Sequence, residues 1–510
     1  MVHSAHAMSK SSNGNGNGHG PHHLVRQIKK KAAQAALPTH AVKESQVTFK
    51  TAEGVELHGT PVRVTRHMVV FELYNPDVTL QFSEALDEFE ITLQAQKVYS
   101  GRATIRNVVN AGTKTICEAT LKDDGWTDLN LDLVVLNDER LAEEFKKFVQ
   151  EWQKIYKVLP EYKEAVVDIM MFLTDLQFWL EQINLGIRSS PEQPELEQAV
   201  IKRLSPPIIS SLNILFSKFE HIATGLSEEM RPAHRSYIQR LLHPLVLAAP
   251  FANRAYRKPL GYAGDYEMVN MMARNLPEGT SLFAKIFHVW LVDQGSALAH
   301  RNRLKYIVRR IEAETMRVSN ASRRDARIYN FACGPAIEVR HFIEDSPLSE
   351  RAEFTLVDFE THALECAAKT INQTIKKHDL DTLVRFKRKS VQQIFKENQK
   401  TNAAENSDRE KYDFVYCAGL FDYLPDSTCR LLIKIFYDWL APGGLLLLTN
   451  VATTSPNRGS LELILDWHLL YRDAAQFLAL SAVILEGEPR VQSDETGINI
   501  FLEARKPITG

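Results

Sequence analysis

Short apolar runs at 47–49, 55–57, 62–64, 68–73, 89–93, 102–108 and 115–121 are rich in β-branched and aromatic residues and are broken by turn residues. Asn110-Ala-Gly-Thr113 fits a hairpin turn before the last of them. Even spacing of this kind predicts a small β-barrel. After Asn137 the period lengthens. Leu141, Phe145, Phe148, Trp152, Ile155 and Leu159 share one helical face, and beyond Pro160 the pattern resumes with Val166, Ile169, Met170, Leu173, Leu176, Leu180 and Ile183. A loop is expected at Ser189, Ser190, Pro191 and Pro194, and Ser205-Pro-Pro207 reads as a helix restart with the serine as cap. The Met, Phe and Trp stripe favours core packing over a lipid-binding groove. Paired helices of this length also suit a homodimer interface.

From residue 328 apolar runs recur at α/β spacing. They fall at 328–332, 354–357, 383–386, 414–417 and 445–448, with helical patterns between most of them. A parallel, doubly wound sheet is the expectation. Its ligands belong outside the carboxyl ends of the strands, which places 332–336, Asp358, 389–391 and 417–419 on one rim. Two further β-like runs, 481–486 and 498–504, predict a terminal hairpin.

Composition narrows the function classes only a little. The 510 residues carry a formal net charge of -2, which gives no global reason to expect nucleic acid. The five cysteines stand singly, at 117, 333, 366, 417 and 429, so no zinc site is expected and a reducing cytoplasm is. No apolar run is long enough to span a bilayer. The first 38 residues, led by an Asn-Gly alternation, read as a disordered tail, and His22-His23 belongs to it. Arg26, Lys29, Lys30 and Lys31 make a basic patch, read as a solvated linker with weak contact to an anionic membrane surface as the sharper alternative.

The chemistry gathers around Asn330-x-Ala-x-Gly-Pro-Ala336, where a strand turns into a helix. Gly334 and its small neighbours Ala332 and Ala336 let the backbone approach a ligand, and the turn points free N–H groups outward. Asp358, about twenty residues on, suits the two hydrogen bonds of a ribose diol. NAD and S-adenosylmethionine (SAM) both fit such an arrangement, but two of the three glycines of a dinucleotide turn are missing here. A second unusual stretch, Tyr256-Arg-Lys-Pro-Leu-Gly-Tyr-Ala-Gly-Asp-Tyr-Glu267, reads as an ordered loop aiming polar side chains at something. Arg301 and Arg303 follow on a helix as candidate clamps for an acid group.

With its terminal hairpin the last 190 residues or so resemble class I SAM-dependent methyltransferases, of Rossmann-like α/β fold. The resemblance implies a SAM site formed by Asn330, Ala332, Gly334, Pro335, Asp358, Phe359, Ser390, Val391, Cys417 and Ala418. Tyr412-Asp-Phe-Val-Tyr-Cys-Ala-Gly-Leu-Phe-Asp-Tyr-Leu424 looks like the fourth motif, and Leu440-Ala-Pro-Gly-Gly-Leu445 like the turn before the fifth strand. Asn330 and Ala332 replace the usual acid and first glycine, and Ser390 stands where an acid often sits near the adenine. Together with 258–267 and the closing Thr496-Gly-Ile-Asn-Ile-Phe-Leu502, the chain resembles bacterial extracellular-factor, 3-hydroxypalmitic acid methyl ester biosynthesis proteins. That likeness implies a quorum-sensing role and a fatty or hydroxy fatty acid carboxylate as methyl acceptor. A carboxylate is ionised at neutral pH and needs no general base. Hydroxyl or amine acceptors would need one, with Tyr262, Asp265, His468 and Tyr471 as candidates. A catalytically weakened SAM-binding scaffold and an enzyme of cyclopropane type, or one acting on another small molecule or lipid, are the competing readings. Neither metal nor nucleic acid is expected.

The amino-terminal barrel resembles a PilZ domain, a bacterial receptor for cyclic di-GMP. That family binds through paired arginines before the barrel and a D/N-x-S-x-x-G motif on it. Here the matching strand reads Val62-Arg-Val-Thr-Arg-His-Met-Val-Val70, without the acid, the serine or the glycine, so cyclic di-GMP binding is not expected. The resulting division is a tail (1–40), a PilZ-like barrel (41–135), a helical region (136–250), an approach or lid segment (251–320) and a SAM-binding domain (321–510).

Overall fold

The computed structural model describes residues 45–127 apart from 52–53, 74–79, 94–95 and 111–114, then 145, 146, 149, 158–400 and 411–508. The tail, its basic patch, the His22-His23 pair, most of the expected hairpin turn after Asn110 and most of the helical pattern between 141 and 157 fall outside these residues.

Strands β1 (Gln46–Lys50), β2 (Glu56–Thr65), β3 (Met68–Leu73), β4 (Ala85–Leu93), β5 (Gln96–Asn110) and β6 (Thr115–Leu121) close a barrel in the order β1-β2-β3-β6-β5-β4, antiparallel at every pairing. The apolar positions of the strands fill its interior, where the rings of Phe49, Phe71 and Phe89 lie 5.5 to 5.7 Å apart. The runs expected as two strands at 55–57 and 62–64 belong to one continuous strand, β2. Gly59 lets it pass β3, since a Cβ there would lie 3.0 Å from the Glu72 carbonyl oxygen. Pro61, which cannot donate to the ladder, sits where the β2–β3 register shifts.

Among the described residues the barrel is linked to the sheet by the helices α1 (Pro160–Arg188), α2 (Gln193–Thr224), α3 (Arg231–Val246), α4 (Pro250–Arg257), α5 (Tyr266–Arg274), α6 (Leu282–Asp293) and α7 (Gly295–Ser322). Val166, Ile169, Leu173, Leu176 and Leu180 are buried along α1, and the same core takes in Leu463, Leu465 and Trp467 from far along the chain. The expected restart at Ser205 does not occur. Helix α2 runs through Pro206 and Pro207, and the Ser205 hydroxyl donates to the Ile201 carbonyl at 2.7 Å instead of capping an end. Ile201, Ile208, Leu212, Phe216 and Phe219 keep one face buried across the prolines, which outweighs the backbone bonds lost there.

All five expected runs are parallel strands: β7 (Ala326–Phe331), β8 (Ala352–Asp358), β9 (Val384–Arg388), β10 (Tyr412–Cys417) and β11 (Leu440–Val451). Helices α8 (Ile337–Asp345), α9 (Thr361–His378), α10 (Val391–Lys400) and α11 (Asp426–Asp438) connect them, and α12 (Ala474–Leu480) follows β11. A hairpin of β12 (Arg490–Ser493) and β13 (Asn499–Arg505) completes the sheet, in the order β12-β13-β11-β10-β7-β8-β9, with β13 antiparallel to β11. The hairpin is the one expected, but its first strand is not 481–486. Ser481–Val483 instead extends α12 as a 3-10 turn, with the Ser481 hydroxyl donating to the Leu478 carbonyl at 2.6 Å, and Leu485 is left in solvent.

Candidate active site

Three residues of the turn after β7 have positive φ: Ala332 (56°), Gly334 (53°) and Ala336 (47°). The alternation folds the chain into a shallow cradle. The Cys333 N–H donates to the Val357 carbonyl at 3.1 Å, and the Gly334 N–H donates to Asp358 Oδ2 at 2.8 Å. The second carboxylate oxygen of Asp358 accepts from the Glu360 N–H at 3.0 Å. Each oxygen thus keeps lone pairs for a diol. Burial pushes the Asp358 carboxyl up to about 6, against the pull of these N–H groups. Above Gly334 the space is open, for a Cβ there would meet nothing within 4 Å.

The cradle opens into a cavity of about 230 Å³, against roughly 10–15 Å³ for one water on the same measure. Asn330, Ala332, Gly334, Pro335, Asp358, Phe359 and Ala418 form its sheet side. Phe251, Val269, Met272, Trp290, Leu291 and Trp467 form a largely apolar side from the helices and the segment after β11. One face of α7 crosses between them, with Ser296, His300, Arg303, Leu304 and Ile307 at helical spacing. Arg303 donates to His300 Nδ1 at 2.7 Å and abuts Gly419, whose Cβ would lie 3.3 Å from the guanidinium. Burial lowers the pKa of Arg303, partly offset by Asp422 and Glu338. Glu338, buried and pushed up by desolvation, accepts from Asn330 Nδ2 at 3.1 Å and from the Tyr416 hydroxyl at 2.8 Å. Ser296 Oγ, His300 Nε2, Asn330 Oδ1, Ser455 Oγ, Asn457 Oδ1 and Asn499 Oδ1 are buried without a partner among the described residues, and all six residues line this cavity. Buried polar atoms are rarely left so. Their gathering around one cavity gives it the convergent polar groups of a ligand site.

Residues 299–480 match the family model described as a methyltransferase domain. Over these residues the chain is similar to methyltransferase domains. The open space over Gly334 and the free lone pairs of Asp358 are compatible with the SAM expected from the sequence. No curated protein matches the chain significantly. Solved structures similar to it include a possible exported protein from Bordetella parapertussis (18% identity, 62% of this chain and 99% of the other, TM-score 0.40). Magnesium protoporphyrin IX methyltransferase from Synechocystis PCC 6803 (11% identity, 50% and 99%, TM-score 0.32) and an N-methyltransferase, NodS, from Bradyrhizobium japonicum WM9 (15%, 40% and 98%, TM-score 0.26) are others.

Within and around the matched region, the residues expected to hold cofactor divide. Seven of them line the cavity, as described. Ser390 does not: its N–H donates to Gln393 Oε1 at 2.8 Å and its hydroxyl accepts from the Gln393 N–H at 3.4 Å, so it serves the start of α10. Val391 packs into the apolar core, and Cys417 is fully buried in β10.

Of the candidate bases only Tyr262 reaches the cavity, where its ring stands 5.6 Å from that of Phe359. Burial raises its pKa well above the ordinary value, so it stays protonated. Asp265 is a fully buried cap of α5, accepting from the Glu267 and Met268 N–H groups and from Arg254 at 2.8 Å. The stretch read as a loop is therefore short, because Tyr256 and Arg257 end α4 and Tyr266 begins α5. Arg301 points away from the cavity and ties helices together through the Val292 and Met272 carbonyls at 2.7 and 3.1 Å. His468 lies against the barrel, and burial drives its pKa down to about 3. Tyr471 packs under Arg458, 4.9 Å from its ring centre.

Asp422, Tyr423 and Trp467 were not singled out from the sequence. Asp422 accepts from the Val451 N–H at 2.5 Å, and Tyr423 receives the Trp467 indole N–H at 3.0 Å. Their signal was faint: an Asp-Tyr pair just past the end of the fourth strand.

Proposed function

We propose that the protein transfers a methyl group from SAM to the carboxylate of a fatty or hydroxy fatty acid, giving a methyl ester. The observation that carries this reading is Arg303. Among the described residues its guanidinium hydrogen-bonds only to His300, and it stands at the junction of the cofactor cradle and an apolar cavity. An acid with an apolar body matches both halves. The side-chain oxygens of Ser296, Ser455, Asn457 and Asn499, without a partner among the described residues, would suit a further hydroxyl on it. SAM supplies an activated methyl group, while the chain's own residues hold the ribose (Asp358), steer the acid (Arg303) and keep water out (Phe251, Trp290, Trp467). Isotopically labelled SAM incubated with the protein and a bacterial lipid extract should leave label on fatty acid methyl esters. Label on another class of molecule would refute the acceptor, and SAM that binds without being consumed would favour a scaffold.

A second reading of Arg303 has an observation of its own. Its contact with Gly419, beyond the tip of β10, and the influence of Glu338 would suit a role holding the cofactor's own carboxylate. The Arg303→Met variant separates the two. If the acceptor reading is right, affinity for S-adenosylhomocysteine stays and acceptor turnover falls. If the second is right, S-adenosylhomocysteine binding weakens while that of 5′-methylthioadenosine, which lacks the amino-acid end, does not.

The same reading keeps the barrel PilZ-like but without cyclic di-GMP, and calorimetric titration with the dinucleotide should give no heat. It also keeps a homodimer through the helical region. Met171, Phe178 and Leu185, exposed at seven-residue spacing along α1, support that, and sedimentation at rising concentration tests it. Among the described residues no helix is long and apolar enough to cross a membrane. A cytoplasmic location remains part of the proposal, to be tested by fractionation.

A further inference from the structure

Residues 80–84, just ahead of β4, reach out of the barrel and into the catalytic half. Gln81 lines the same cavity as Tyr262, Tyr423 and Trp467. The Phe82 N–H donates to the Tyr423 carbonyl at 3.4 Å, and the Ala85 N–H donates to the Gly261 carbonyl. Between them Ser83 is fully buried, donates to the Asp466 carbonyl at 3.3 Å and accepts from the His468 N–H at 3.2 Å.

The segment that Ser83 grips has two faces. Leu465, Trp467 and Leu469 line the cavity. Asp466 and His468 do not, and Asp466 is met by Arg235 at 3.3 Å. Lys258, buried beside them, donates to the Leu465 carbonyl at 3.5 Å, and Arg102 of the barrel donates to the Lys258 carbonyl at 2.9 Å. Three separate stretches that frame the cavity, at 261–264, 423 and 465–469, are therefore all fastened to one barrel segment.

Ser83 also has a φ of +62°, a conformation that suits glycine. A buried residue that strains its backbone and spends both hydroxyl roles on one remote segment is better explained by that segment than by the barrel's own fold. We infer that the barrel is a wall of the acceptor cavity, with Gln81 part of its lining and Ser83 the positioning residue for 465–469. This rests on the acceptor reading above for what the cavity holds, and on geometry alone for how the wall is held.

The test uses the full-length chain. Ser83→Gly removes both hydroxyl bonds while suiting the backbone. The probe is 11-bromoundecanoate, whose bromine quenches nearby tryptophans such as Trp290 and Trp467, alongside S-adenosylhomocysteine by calorimetry and thermal melting. The expected result is a bromo-acid dissociation constant raised about tenfold, the order that goes with losing two hydrogen bonds. S-adenosylhomocysteine affinity should be unchanged and the melting temperature only slightly lower, since relief of the positive φ offsets part of the two lost bonds. A purely architectural role would move melting and binding together. Gln81→Trp, which fills the wall without touching Ser83, should also weaken the probe and spare S-adenosylhomocysteine. Equal bromo-acid affinity in the natural and Ser83→Gly proteins overturns the inference. If the natural chain is not quenched at all, the acid reading fails by itself. Amide exchange then decides the inference: faster exchange confined to 465–469 in Ser83→Gly supports it, and unchanged exchange overturns it.

Discussion

Asp358→Asn should trade binding for stability in opposite directions. The aspartate is 6% exposed, so water does little to soften the cost of its charge. Its pKa rises from 3.8 in the unfolded chain to about 6 in the fold, and a rise of about two units is worth about 3 kcal/mol. The sign follows from which state holds the proton. A carboxyl with a raised folded pKa binds its proton more tightly when folded, so stability falls as pH climbs from about 4 to about 6 and the penalty stands in full at pH 7.5. Neutral asparagine removes that penalty. Its amide must face either the Gly334 or the Glu360 N–H, and leaving one donor unpaired returns about 1–3 kcal/mol. The melting temperature should therefore hold or rise. Cofactor binding should fall sharply, because a diol loses two bonds to a charged acceptor at about 1.5–3 kcal/mol each. That amounts to roughly 100-fold or more, read by calorimetric titration with S-adenosylhomocysteine at pH 7.5. Binding within about threefold of the natural protein would remove Asp358 from the cofactor site and the cradle reading with it.

The remaining predictions bear on the same rim. For the natural protein, S-adenosylhomocysteine affinity should be flat above pH 6 and fall about tenfold per unit below it, as Asp358 takes up its proton; a flat profile down to pH 5 would contradict this. Gly334→Trp places an indole in the open space over the turn and should abolish S-adenosylhomocysteine binding, whereas Gly334→Ala should cost only about 1 kcal/mol of stability from its positive φ. Gly264→Ala would put a methyl group 2.5 Å from the Tyr423 hydroxyl, so acceptor turnover should drop while S-adenosylhomocysteine affinity is kept, as steady-state kinetics and calorimetry would show.

How far the sequence reached depended on what each residue answers to. The sheet was legible because strands covered on both faces are continuous apolar runs, such as 414–417 and 445–448, closed by small residues at the functional rim. Asp358 was legible for the same reason, standing at a strand tip a fixed distance from the glycine turn. Side chains that depend on direction were harder. Arg301 and Arg303 are two apart on one helix and so face nearly opposite ways, and only Arg303 falls in line with Ser296, His300 and Ile307. Counting that helical face would have chosen between them. Asp265 carried a readable signal too, an Asp two residues ahead of Glu267 at a helix start, which fits a cap better than a base. His468 was beyond reach, because its neighbours come from the barrel nearly 400 residues earlier.

The matched methyltransferase region begins at residue 299, inside α7, yet much of the cavity's apolar side is supplied before that point, by Phe251, Val269, Met272, Trp290 and Leu291, with Gln81 from the barrel. On the proposed function the cofactor would be held inside the matched region, while the acceptor would meet residues from both inside it, such as Arg303 and Trp467, and ahead of it. On that reading, change in the earlier segments would alter which molecule is methylated while Gly334, Asp358 and the sheet behind them stay as they are. Relatives that agree across 299–480 would share a methyl donor and still differ in what they modify.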